Sequence, residues 1–91
     1  LVTLDGMLYI KSPFFNGGLA EPRKVLRGYE SVAGTYWFIL EEPDEYGDSF
    51  GFCQGTYDDE LCYIQEDDLS DIAAIWEIKE IDLPHAGRRS Q

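Results

Sequence analysis

An acid-rich segment in the second half of the chain, residues 57–71, reads YDDELCYIQEDDLSD and holds seven carboxylates but no lysine or arginine. Carboxylates can bind hard cations, work in pairs as general acid and base, or form an anionic surface for a basic partner. Leu61, Tyr63 and Ile64 stand in the middle of the segment like buried strand residues. The acids can therefore also be the solvated side of a small sheet.

The sequence offers few residues that could support nucleophilic catalysis. His85 is the sole histidine and stands between Pro84 and Gly87, on a segment poorly placed to hold a rigid base. A carboxylate pair can act alone, as in glycosidases, but the sequence does not set the separation of the two groups. We predict a protein that is not an enzyme and carries no cofactor, with an acid–base hydrolase as the third alternative.

Two acidic clusters are the candidates for a divalent cation. They are Asp44, Glu45 and Asp48, and Asp58, Asp59 and Glu60. Neither follows the calcium-loop pattern of acids at alternating positions followed by Gly and a distant Glu. We predict no metal ligand, and a small-ligand or divalent-metal-binding domain is the alternative function.

The two cysteines, Cys53 and Cys62, are too few for a disulfide scaffold and lack the spacing of a zinc site. A disulfide between them is sterically conceivable on a hairpin, but we expect two half-buried free thiols. The first residues, LVTLDGMLYIKS, lack a basic start and a long apolar stretch, and no apolar run approaches the roughly 20 residues of a membrane helix. The expected location is the cytoplasm, without membrane contact.

The net charge of −11 is unevenly distributed. Residues 28–78 contain fourteen acids and no Lys or Arg, whereas residues 1–27 sum to +2 and residues 79–91 to +1. Such a field repels nucleic-acid phosphates and anionic membranes, so direct nucleic-acid binding is not expected. A surface whose only role is solubility usually mixes positively and negatively charged residues. The block therefore favours a basic protein partner, which the domain can inhibit or engage as a mimic of nucleic acid.

We predict a partner-binding surface of exposed acids around the hairpin and the following helix. Its residues are Glu41, Glu42, Asp44, Asp48, Asp58, Asp59, Glu60, Glu66, Asp67, Asp68 and Asp71. The hairpin tip and the helix N-terminus are close in sequence, so their carboxylates are expected within a Debye length of about 8 Å. Tyr46 and Tyr57 stand beside acids, a composition typical of protein-binding surfaces.

Alternating apolar residues predict a mostly antiparallel sheet of about five strands, with one short helix, in an α+β domain. The strand segments are 6–12, 24–30, 35–42, 49–55, 61–65 and 74–81, and the helical segment is 66–74. The aromatic run at 35–42 is expected at the centre of the sheet. The predicted core contains Trp37, Phe38, Ile39, Phe52, Tyr63 and Trp76. Residues 1–83 are expected to form one domain, with a loop at 11–23, and residues 84–91 a C-terminal tail.

Residues 35–69 resemble an uncharacterised family carried mainly by phages, plasmids and other mobile elements, domain of unknown function 2958. The residues that carry the resemblance are Trp37, Glu41, Phe50, Gly51, Gly55, Glu60, Leu61, Tyr63 and Leu69. Cys62 stands where the family tends to have Gly, and Ile64 where it has an aromatic residue. The resemblance implies a small α+β protein of mobile-element origin with no assigned activity, and it transfers no catalytic residue.

Overall fold

The computed structural model describes residues 2–4, 7–10, 23–55 and 59–87. A small antiparallel sheet contains β1 (Val2–Leu4), β2 (Met7–Ile10) and β3 (Arg23–Lys24). The main sheet contains β4 (Arg27–Ser31), β5 (Tyr36–Ile39), β6 (Asp48–Gln54), β7 (Asp59–Gln65) and β8 (Ile75–Glu77). One α-helix, α1 (Glu66–Ser70), and a 3₁₀ turn (Leu83–His85) complete the described elements.

The main sheet is antiparallel throughout, in the spatial order β7, β6, β5, β4, β8. The predicted sheet of five antiparallel strands with one short helix is therefore confirmed, and the aromatic segment forms its central strand, β5. The described part of the chain is mostly β, so the α+β label is only loosely supported. The predicted loop at 11–23 falls outside the described residues except for Arg23, which belongs to β3.

The helix is shorter than the predicted segment 66–74 because the chain has to reach the opposite edge of the sheet. It connects β7, at one edge, to β8, at the other. The carbonyl of Ala74 accepts a hydrogen bond from the Val32 N–H, and Ile75 pairs with Ser31. Residues 74 and 75 are thus committed to the sheet, and only a short helix fits before them.

The two faces of the main sheet are covered by different segments. Successive residues of a strand point to opposite faces, so Ile39 and Phe38 belong to separate clusters. The helix face packs Tyr29, Ile39 and Ile64 against Leu69 of α1. The turn face consists of the second cluster, Val25, Phe38, Leu40, Phe52, Ile78, Leu83 and Ala86.

Residues 83–86 pack on the sheet, contrary to the tail predicted from residue 84, whose last residues, 88–91, lie outside the described residues. Ala86 is buried against the turn face together with Leu83. A glycine at position 28 permits this packing, because a Cβ there would lie 2.7 Å from Leu83 Cδ1. Pro84 and Gly87 favour a tail in the sequence, but Pro84 lies within the 3₁₀ turn that covers the sheet.

Three of the six predicted core residues, Phe38, Ile39 and Phe52, are confirmed as buried, and Trp37 is partly buried. Tyr63 and Trp76 are exposed, at 71% and 46%, so their predicted burial is wrong. They lie on β7 and β8, the two edge strands of the main sheet. Alternation identifies the face on which a side chain lies, but not how far the other layer extends over that face.

Cys53 and Cys62 form a disulfide, so the prediction of free thiols is wrong. Cys62 lies opposite Gly51, and Cys53 lies opposite Glu60, which makes the cysteines diagonal neighbours on the helix face. Their Cα atoms are 6.5 Å apart, within the usual range for a disulfide. The bond joins β6 to the edge strand β7.

Two aromatic truncations distinguish the centre of the sheet from its edge. Phe38→Ala should lower the free energy of unfolding by about 3 to 5 kcal/mol because it empties a fully buried site. Trp76→Ala should lower it by only about 1 to 2 kcal/mol, since half of the indole is in water. Urea denaturation followed by far-UV circular dichroism measures both. Equal losses would contradict the assignment of Trp76 to an exposed edge.

Reduction of the disulfide should destabilise the protein by about 2 to 3 kcal/mol, because the bond closes a loop of about ten residues in the unfolded chain. Denaturation with and without a reductant measures this effect. The control is the Cys53→Ala, Cys62→Ala double variant, which should match the reduced wild type and ignore the reductant. A wild-type curve that the reductant leaves unchanged would show that the bond does not form.

Candidate functional site

The pairing of β6 with β7 brings two acidic segments to one end of the main sheet. Asp48, the first residue of β6, lies opposite Gln65, the last residue of β7. The loop before β6 and the helix after β7 must therefore lie at the same end. Their exposed or partly exposed acids form what we call the acidic end: Glu41, Glu42, Asp44, Glu45, Asp48, Asp67 and Asp68.

A bidentate ion pair beside the acidic end joins β4 to α1. Arg27 donates from Nε to Glu66 Oε1 and from Nη2 to Glu66 Oε2, both at 2.8 Å. Arg27 Nη2 also donates to Oε1 of Glu42 at 2.9 Å. The planar guanidinium suits two parallel hydrogen bonds to one carboxylate, which fixes orientation as well as charge. Arg27 thus holds the helix and the preceding loop at one end of the sheet.

Two hydroxyl groups complete the environment of the Glu66 carboxylate. Tyr29 Oη donates to Glu66 Oε1 at 2.8 Å, and Ser49 Oγ donates to Oε2 at 3.0 Å. Ser49 is fully buried, and the Glu66 side chain is only 16% exposed. The expectation that Glu66 is exposed is therefore wrong. This carboxylate is held by four donor atoms of the protein itself.

The network changes the acidities of its members. Hydrogen bonds from Arg27, aided by those from Tyr29 and Ser49, lower the pKa of Glu66, although burial opposes the shift. Hydrogen bonding to Glu66 and Glu42 raises the pKa of Arg27 above its already high value. Burial and the bond to Glu66 raise the pKa of Tyr29 to about 12. All members therefore keep their neutral-pH charge states: Glu66 and Arg27 ionised, Tyr29 neutral.

The loop that precedes β6 is held in place by hydrogen bonds to one of its own acids, Asp44. A bulge precedes it, where the N–H groups of Leu40 and Glu41 both donate to the Phe50 carbonyl. Asp44 Oδ1 then accepts the N–H groups of Tyr46 and Asp48, at 2.9 and 3.0 Å. The resulting turn leaves the Tyr46 side chain 75% exposed beside the carboxylates.

Gln65 connects this loop to β7. Its Nε2 donates to Asp48 Oδ1 and reaches the Tyr46 carbonyl at 3.5 Å. Tyr63, two residues earlier on β7, projects from the turn face and contacts the Phe50 ring edge to face, with centroids 5.5 Å apart. The acidic end therefore adjoins two exposed tyrosines, Tyr46 and Tyr63.

The predicted surface is divided between the two ends of the sheet. Asp59 and Glu60 begin β7, whereas Glu66 follows its last residue. Six strand steps separate Asp59 from Gln65, about 20 Å at roughly 3.3 Å per residue, which far exceeds a Debye length of about 8 Å. The expectation that hairpin and helix carboxylates lie close together is wrong. Sequence proximity misled because the whole of β7 lies between them.

Two further predicted site residues stand apart from the acidic end. Asp71 is exposed and follows the last residue of α1, on the chain that crosses the helix face. Asp58 lies outside the described residues.

Metal-binding geometry is not found in the part of the chain that the structure describes, where no three His, Cys, Asp or Glu residues are grouped to hold an ion. Asp44, which belonged to one candidate cluster, is instead hydrogen-bonded to its own loop. His85 is exposed in the 3₁₀ turn. No helix among the described residues is long and apolar enough to cross a membrane.

Comparisons with known proteins found no matching family model, no similar curated protein and no similar solved structure. The resemblance of residues 35–69 to the mobile-element family stays a prediction.

Sequence reasoning missed the Arg27 network. Arg27 and Glu66 are 39 positions apart, so no local pattern joins them. One signal was present: Arg27 is the last cation before a stretch of fourteen acids. A cation at the border of such a block is a candidate partner for a carboxylate that the fold buries.

The Glu66 network should make stability depend on acid pH. The pKa of Glu66 is lower in the folded protein than its ordinary value of 4.5, so its contribution is present above that value. It is lost as the pH falls from 4.5 towards the lowered pKa, because the unfolded chain takes up the proton first. Glu66→Gln should weaken this dependence, and Arg27→Met should cost about 2 to 3 kcal/mol at pH 7.

Urea denaturation from pH 7 to pH 3 measures both effects. The matched control is Asp67→Asn, which removes a neighbouring exposed charge and leaves the network intact. If Glu66→Gln retained the full acid dependence of the wild type, Glu66 would not be the group that links folding to protonation.

Proposed function

We propose that this protein is a non-enzymatic interaction domain whose acidic end binds a basic surface of a partner protein. The observation that carries the proposal is the convergence of two acidic segments, 41–48 and 67–68, at one end of the main sheet. Summed fields of fixed carboxylates attract cationic surfaces and steer their approach.

The charge of the acidic end is only partly compensated from within the domain. Arg27 is paired with Glu66 and Glu42. Among the described residues, no lysine or arginine forms an ion pair with Asp44, Asp67 or Asp68. A cation from outside therefore meets exposed carboxylates whose charge no described lysine or arginine neutralises.

Exposed tyrosines add a second means of binding cations. Tyr46 and Tyr63 are each more than two thirds exposed, and both adjoin the acidic end. An arginine or lysine can lie over a tyrosine ring while it faces a carboxylate, and tyrosine is enriched at protein interfaces. This combination favours a protein partner over a free metal ion.

The disulfide bears on where the domain works. The expected cytoplasmic location depended partly on the interpretation of the cysteines as free thiols, which the bond between Cys53 and Cys62 replaces. Structural disulfides persist in oxidising compartments and are rare in the cytosol. We therefore propose an oxidising compartment instead of the cytoplasm as the place where the domain works.

Charge reversal at the acidic end should abolish partner binding. The test variant is Glu45→Lys with Asp67→Lys, which leaves the loop-forming Asp44 in place. The control is Glu80→Lys with Asp82→Lys, which makes the same charge change at exposed residues near the 3₁₀ turn. Wild type and control should retain a common basic protein in pull-downs at low salt, and the test variant should not. Association rates for that protein should fall steeply with salt.

Two results would decide against or refine the proposal. If no retained protein distinguishes the test variant from the control, the acids serve solvation only. If duplex DNA displaces the domain from its partner, the partner uses its nucleic-acid-binding surface and the domain acts as a mimic. If salt displaces the domain from its partner but duplex DNA does not, the acidic end binds a protein surface that is not the partner's nucleic-acid-binding surface.

A further inference from the structure

Three side chains form a row on the turn face, at the end of the main sheet opposite the acidic end. Arg27, beside the acidic end, begins β4, whereas Glu30 lies near the other end of that strand. Glu30 is directly opposite Trp76 of β8 on one side and Tyr36 of β5 on the other. Residues directly opposite each other share a face of the sheet, with Cβ atoms about 4.5 to 5.5 Å apart. Since Tyr36 packs against the turn-face cluster, the Glu30 carboxylate stands on that face between a phenol and an indole.

The phenol of Tyr36 fixes one oxygen of this carboxylate. Tyr36 Oη donates to Glu30 Oε2 at 2.9 Å, and the Tyr36 ring is stacked on Phe38, with centroids 6.0 Å apart. Burial and the hydrogen bond to Glu30 raise the pKa of Tyr36, so the phenol remains a donor at neutral pH. Within the described residues, Glu30 accepts no other side-chain hydrogen bond and pairs with no lysine or arginine. Its second oxygen can therefore accept from a donor outside the chain.

Trp76 supplies an aromatic surface beside the Glu30 carboxylate. Trp76 is 46% exposed, whereas Ile78, two residues further along the chain, is buried in the turn-face cluster. Tryptophan is the aromatic residue that attracts cations most strongly, over its ring face and within about 6 Å of the ring centroid. An indole and a carboxylate on neighbouring strands are therefore within reach of one cationic group.

The chemistry of this row favours a guanidinium over other organic cations. A quaternary ammonium carries no N–H and cannot donate to the carboxylate. A lysine ammonium donates, but it is a compact and strongly hydrated charge. A guanidinium can stack its plane on an indole while the N–H groups at its edge donate to a carboxylate. The net charge of −11 also favours a cationic ligand.

We propose that Trp76, Glu30 and Tyr36 form a binding site for an arginine side chain of a partner protein. The guanidinium stacks on Trp76 and donates to Glu30, and Tyr36 orients the carboxylate. This site is separate from the acidic end, so the inference goes beyond the proposed function and does not depend on it.

Single amino acids with capped ends test the site in the full chain by nuclear magnetic resonance. The chain contains two tryptophans, and the Trp76→Phe variant identifies the indole N–H signal of Trp76. N-acetylarginine amide should shift that signal saturably, with a millimolar dissociation constant because an exposed ion pair and one cation–π contact are weak. The signal of Trp37, which is partly buried on the helix face, should not move. N-acetyllysine amide has the same charge and should bind severalfold more weakly.

A matched pair of charge-neutralising variants separates the site from the overall field. Glu30→Gln should weaken binding of the arginine probe about tenfold. The control is Glu77→Gln: Glu77 is exposed and adjacent to Trp76 in the chain, but it lies opposite Tyr29 on the helix face. This control should bind the probe like the wild type. The amide spectrum of each variant shows whether it is folded.

Three results would overturn the inference. Equal binding of the arginine and lysine probes, or equal losses in Glu30→Gln and Glu77→Gln, would show that net charge alone attracts the probe. Absence of any shift of the Trp76 signal at saturating probe solubility would show that no site exists. Binding that requires Arg88→Ser with Arg89→Ser would show that the chain's own arginines exclude an outside ligand. The charge-reversal pull-down tests the proposed function separately, since both of its variants leave this row unchanged.

Discussion

The carboxylate of Glu66 is the group on which the arrangement of this domain depends. It stands at the junction of β7 and α1, where the chain leaves one edge of the sheet to cross the helix face. A carboxylate that is mostly removed from water is costly unless donors satisfy it. Arg27 from β4, Tyr29 from the same strand and Ser49 from β6 supply them. The network thereby fixes where the helix begins and which residues it directs into solvent.

This requirement separates acids that look alike in the sequence. Glu66, Asp67 and Asp68 are consecutive, yet Glu66 is held by internal donors while the other two are exposed. Glu42 is exposed and still shares Arg27. Asp44 accepts backbone N–H groups of its own loop, so it fixes the conformation of the loop in addition to contributing a negative charge. A count of carboxylates therefore overstates the charge that a partner meets, and the position of each group decides its role.

The features that the sequence predicted are those that local periodicity determines. The alternation and aromatic content of residues 35–42 predicted a central strand, and Phe38 and Ile39 are buried on opposite faces of β5. The features that it missed depend on register and on contacts far apart in the chain. Cys53 and Cys62 pair because the β6–β7 register makes them diagonal neighbours. Arg27 meets Glu66 only after four strands have assembled, and Leu83 packs on the sheet where Gly28 leaves room for it.

Charge and a covalent bond both protect the exposed edge of the main sheet. A seven-residue edge strand is a template for uncontrolled pairing, which natural sheets prevent with charged residues. Glu60 is exposed near the start of β7, and Asp67 is exposed just beyond its end, so like charges oppose pairing between two copies of this strand. The disulfide on the helix face joins β7 to β6 and thereby holds the edge strand in its register, which keeps the acids of β7 and of the helix at opposite ends of the sheet.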